Sequence, residues 1–156
     1  MSYINLNLND VKETTAAPKG SYELQITGAQ CQETGQNSKH PGTPMIKFTL
    51  GFTDTEVESP TFRHYMVFPY EGQTDHLNLT LLGIKRFLVH FGIPYGEDVL
   101  DTEAIAFESI GKIATCDVDL TEPNDSGDVY NKLGYLPKLR EELQGGKGKP
   151  PAKRRA

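Results

Sequence analysis

What this chain has little of narrows the field first. Of its 156 residues only Cys31 and Cys116 are cysteines, too few for a thiolate zinc cage and too far apart for a metal or redox motif, which leaves two reduced thiols. No apolar run approaches the ~20 residues of a membrane span, and the N-terminus has no basic region followed by an apolar one. A soluble, cytoplasmic protein with no membrane partner is expected. Phosphate-cradling glycine loops, nucleophile elbows and zinc patterns are missing. The four histidines, His40, His64, His76 and His90, are scattered without ligand spacing. The chain therefore reads as a non-enzyme that takes no cofactor and no metal.

A basic excess is missing too. Sixteen Lys and Arg face 21 Asp and Glu, a net charge of −5, which argues mildly against a polyanionic partner. The distribution changes that picture. From Lys138 to Ala156 seven basic residues stand against Glu141 and Glu142, so this stretch carries +5 and the body −10. By composition the tail is disordered, and its Lys147, Lys149, Lys153, Arg154 and Arg155 offer non-specific, salt-dependent attraction for phosphates. With 37% hydrophobic residues the chain can bury one adequate core without staples. Three parts are expected: an extended N-terminal segment over 1–19, a domain over 20–137 and the basic tail over 138–156.

Within the domain a period of two dominates. Tyr22, Leu24 and Ile26 alternate in a strand running to about Gln32, and Ile46, Phe48, Leu50 and Phe52 alternate with Lys47, Thr49 and Gly51 across Pro44 to Phe52. Phe62, His64, Met66 and Phe68 do the same across Thr61 to Phe68, so three half-buried strands form a meander. The loop Gly35 to Gly42 is long for a tight hairpin and reads as flexible. From Asp75 the period lengthens, and Leu77, Leu81, Ile84, Leu88 and Phe91 mark one stripe of a four-turn helix. Asp75 can cap it, Gly92 and Pro94 stop it, and Gly83 inside it costs about 1 kcal/mol relative to alanine. Asp101 can cap a short helix containing Ile105 and Phe107. Ile110 to Leu120 is strand-like again, Thr121 to Asp128 a strong turn, and Val129 to Leu136 the last strand. Ile4, Leu6 and Leu8 alternate near the N-terminus as an extra strand would.

This order predicts a mainly β, α+β domain with one principal helix between the third and fourth strands. It is the element order of a five-stranded, OB-fold-like Greek-key barrel, whose ligand face comes from strands two and three and the loops joining strands one to two and four to five.

Particular residues carry a resemblance. Gly20, Tyr22, Leu24 and Ile26 open the first strand, a Gly and Lys loop follows, and Pro44-Met45 leads into the second strand. Lys85-Arg86-Phe87-Leu88 runs to Phe91-Gly92, and Tyr130-Asn131 leads to Tyr135-Leu136-Pro137. Over Gly20 to Pro137 the chain resembles bacteriophage single-stranded DNA-binding proteins of the OB type. That resemblance implies a protein of phage replication or recombination that coats transient single strands and works beside phage or host replication proteins. Many such proteins end in an acidic partner-recruiting tail, whereas this one ends in Lys153-Arg154-Arg155.

Single strands are held by cations that meet phosphates and by aromatic faces on which bases stack, the latter at about 1–3 kcal/mol per base. Opposite the apolar side of strands two and three stand Lys47, Thr49, Arg63 and Tyr65, a mix suited to that task. Lys112, Tyr130, Lys132 and Tyr135 extend it, although strict alternation puts the two tyrosines on opposite faces unless a bulge intervenes. Lys39 and His40 in the first loop are placed to close over a strand. The plainer reading of all of these is solvated side chains on an ordinary barrel. Asp117 and Asp119 share a strand face, as a metal-dependent nuclease wants, but no motif fixes further carboxylates. His64, on the apolar side, reads as a hydrogen-bonded core histidine. Single-stranded DNA binding with little sequence preference leads; the rival is an acidic protein-interaction module, an adaptor or inhibitor, that never touches DNA.

Overall fold

The computed structural model describes residues 3–4, 6–10, 13–96 and 98–139. In chain order they form β1 (Gly20–Glu33), β2 (Pro44–Phe52), β3 (Phe62–Val67), α1 (Leu77–Phe91), α2 (Thr102–Ser109), β4 (Ile113–Leu120) and β5 (Asn131–Leu133). The strands are antiparallel in the order β3-β2-β1-β4-β5, and the outermost two, β3 and β5, lie against each other. The sheet is thereby rolled into a nearly closed barrel, OB-fold-like and mainly β, with both helices between β3 and β4. No described helix is long and apolar enough to cross a membrane.

Closure depends on β1. Its first half pairs with β4 and its second with β2, and between Ile26 and Gly28 the register shifts by one residue. An extra residue bends a strand and increases its twist, so this bulge lets one 14-residue strand serve both halves of the barrel. It also reverses the alternation. Leu24 and Ile26 point inward before it, and Ala29 and Cys31 pack on the core after it.

The barrel is filled by Ile46, Phe48 and Leu50 of β2, all fully buried, with Phe62 and Met66 of β3 and Cys116 and Val118 of β4. Helix α1 covers one end with Ile84, Phe87, Leu88 and Phe91. Phe87 is the hub, its ring 4.6 Å from Phe48, 5.0 Å from His64 and 4.8 Å from Phe91. The expected stripe needs correction here, because Leu81 is exposed and Phe87 replaces it as a core residue. Nor does Asp75 cap α1: the N-cap is His76, in the left-handed region at φ 56 and without a side-chain cap. The Gln73 carboxamide ties this corner instead, donating to the Asp75 carbonyl and the Thr80 hydroxyl and accepting from the Tyr70 N–H. Gly92 ends the helix as expected, at φ 68, where a side chain is strained. Asp101 does cap α2, its carboxylate accepting from the Glu103 and Ala104 N–H groups.

Two other expectations are revised. The described N-terminal residues form no strand, and Tyr3, Ile4, Leu6 and Leu8 stand in solvent ahead of a short 3-10 turn at Leu8–Asp10. The segment is tied to the barrel at Ala17, whose N–H donates to the buried Asn131 side chain and whose carbonyl accepts from it, at 2.8 and 2.9 Å. The last strand is also shorter than the pattern suggests. Tyr130 is drawn back to Thr121 by a pair of hydrogen bonds that close the β4–β5 hairpin, and only Asn131–Leu133 pairs as a strand.

Candidate nucleic-acid interface

Register places the predicted face. Lys47 lies directly opposite Tyr65 and Thr49 opposite Arg63 across β2–β3. On the other side of β2, Gln30 of β1 faces Lys47 and Gly28 faces Thr49. Two rows therefore cross three strands on the solvent side, Gln30–Lys47–Tyr65 and Gly28–Thr49–Arg63. Neighbouring strands are about 4.8 Å apart and successive outward residues about 7 Å apart along a strand. The outcome is a small cationic and aromatic patch, with Arg63 exposed and Tyr65 leaving 51% of its surface in water. Among the described residues the one ion pair is Lys19–Asp119, and no described carboxylate pairs with Lys47 or Arg63. Gln30 also belongs to the patch, although the bulge in β1 hides its parity in the sequence.

Directly behind this face lies His64. It points inward, as its alternation required, but its side chain makes no hydrogen bond among the described residues; its ring stacks on Phe87 at an interplanar angle of 5°. Burial drives its pKa down to about 4, which keeps the imidazole neutral. Burial likewise raises both thiols, Cys116 to about 12, so neither cysteine is poised as a nucleophile.

The loop Thr34–Thr43 sits at the end of the face and is tied together by hydrogen bonds of its own. The Thr34 and Thr43 hydroxyls both donate to the His40 carbonyl, at 2.6 and 2.7 Å, and the loop ends are bonded to each other. His40 stacks on Tyr70 with ring centres 3.6 Å apart. Lys39 is thereby held beside the end of β3. Tyr70 escaped the sequence reading, since it follows Pro69 outside any alternating pattern.

The remaining candidates lie outside these rows. Lys112 enters β4, its carbonyl bonded to the Ile26 N–H. Lys132 on β5 stands opposite Asp119, the carboxylate that also meets Lys19 at 3.8 Å. Tyr130 closes the β4–β5 hairpin, and Tyr135, beyond β5, is almost fully exposed; neither belongs to a strand. Lys147, Lys149, Lys153, Arg154 and Arg155 fall outside the described residues. Asp117 and Asp119 share the outward face of β4, but no third His, Cys, Asp or Glu joins them among the described residues.

A small OB-like barrel with a cationic and aromatic sheet face is thus the class that fold and site define. The chain belongs to the DUF669 family, whose members are described as proteins of unknown function; the family model matches residues 4–144. No curated protein matches the chain.

Proposed function

We propose that the protein binds single-stranded DNA with little sequence preference and serves phage DNA replication or recombination in the host cytoplasm, without catalysing a reaction. The observation that carries this is the pair of cross-strand rows on β2–β3, which set an exposed tyrosine side by side with two cations that have no ion-pair partner among the described residues, on a body that is otherwise strongly acidic. Bases stack on such aromatics whatever their sequence, and cations between them meet the phosphates. The acidic remainder repels the denser charge of a duplex.

A second reading, a protein-interaction module serving phage or host replication proteins, is favoured by Phe107 and Ile110 at the end of α2, which are 79% and 50% exposed. Contiguous exposed apolar side chains mark partner surfaces. Fluorescence anisotropy separates the two. A labelled oligo-dT and a duplex of equal length, titrated at low and moderate salt, should give tight, salt-weakened binding of the single strand only. No binding of either at low salt rules out the DNA reading and leaves the protein partner to be sought.

A further inference from the structure

We propose that the cleft at the end of β3 is a second nucleotide subsite, in which a base stacks on the His40–Tyr70 pair while Lys39 meets an adjoining phosphate; this rests on the single-strand reading of the β2–β3 face. Position argues first. Arg63, Tyr65 and Val67 are successive outward residues of β3, and Val67 also forms a wall of the cleft. A strand lying along β3 runs straight into it.

The lining argues next. The cleft holds about 320 Å³, at the small end of ligand pockets. Apolar Val67 and Phe68, the two rings, the hydroxyl of Thr34 and the amide of Gln73 surround it, with Lys39 as its cation. Among the described residues no Asp or Glu lines it, in a body that carries −10. The clefts bounded by Glu23 and Asp54 and by Asp117 are acidic by contrast. Walls that are aromatic, hydrogen-bonding and cationic match a nucleotide, with its flat base and single negative charge. The site is also ready-made, because the threonine bonds to the His40 carbonyl, the ring stack and the Gln73–Tyr70 bond hold both sides in place. Little ordering remains to be done on binding.

The test uses the full chain and oligo-dT of about four and about twelve nucleotides, within the range of OB site sizes. A single 2-aminopurine is placed at one end or the other of the longer probe. Its fluorescence should be quenched at one end only, since the cleft terminates the track on one side, and a purely structural role for the rings gives no such end preference. Tyr70→Ala should remove that quenching and weaken the longer probe about tenfold while sparing the shorter one, and Tyr70→Phe should restore both. Lys39→Ala, on the exposed loop, should lower the slope of log affinity against log salt by about 0.7 without touching the core. Unchanged slope and affinity in Lys39→Ala, with no end-specific quenching in the wild type, overturn the subsite; if Tyr65→Ala still weakens both probes, the face reading survives that result. If the wild type binds neither probe, the subsite and the face reading fall together.

Discussion

Tyr65 and His64 are neighbours in sequence and opposites in circumstance, and each makes its own demand on experiment. Tyr65 leaves half its surface in water across from Lys47, with Arg63 one outward position away. Tyr65→Ala is expected to cost the single-strand complex about 1–3 kcal/mol, and Arg63→Ala to lower the salt slope by about 0.7. Both changes should leave stability within about 0.5 kcal/mol, because neither side chain supports the core; titration calorimetry beside urea melts checks the pair. His64 faces inward, and its pKa falls to about 4 from an ordinary 6.5 because burial penalises the imidazolium. The unfolded chain therefore binds more protons than the folded one between those values. Its contribution to stability is complete above pH 6.5 and is lost as pH falls toward 4, by something on the order of 3 kcal/mol. In His64→Phe, which keeps a ring stacked on Phe87, the acid slope of urea stability across that window should flatten. An unchanged slope would assign the acid sensitivity to other groups.

At the scale of elements, helix α1 gives the cleanest test. Gly83 lies inside it, exposed, and a methyl group built there meets nothing within 4 Å. The glycine is a tolerated weakness and marks no close approach, so Gly83→Ala should stabilise the protein by about 1 kcal/mol with DNA affinity unchanged. A loss of stability in thermal melts contradicts that. Elements with a simple period were legible in the sequence. β2 runs from Pro44 to Phe52 as its alternation requires, and the Asp101 cap and Gly92 stop fall where their chemistry puts them. What stayed hidden was non-local. The bulge after Ile26 depends on β1 having to serve two partners. The exposure of Leu81 depends on where α1 lies on the barrel, and the ties of the first loop on the Thr34 and Thr43 hydroxyls and on Tyr70, thirty residues from His40. The same division holds for the site. Lys47, Thr49, Arg63 and Tyr65 share a face by parity alone, whereas Gln30 joins it only through the phase reversal at the bulge, and Tyr70 only through tertiary packing.

For the whole molecule the governing fact is the separation of charge, −10 on the body and +5 from Lys138 onward. For the proposed binding of single strands this allows two mechanisms, and they make different demands on the chain. If the tail alone holds the polyanion, affinity is purely electrostatic, duplex and single strand are bound alike, and the barrel face is idle. If the face holds it, stacking supplies a part that salt does not screen. The acidic body then rejects duplex, while the tail adds only a salt-dependent increment. A chain stopped after Leu143 distinguishes them. We expect it to keep its preference for single strands, with weaker binding and a salt slope reduced by about 0.7 for each phosphate contact the tail had made. Tyr65→Ala in that shortened chain should then abolish most of what remains. Loss of all binding on truncation, with Tyr65→Ala silent in the full chain, would assign the activity to the tail and leave the β2–β3 face without a nucleic-acid role.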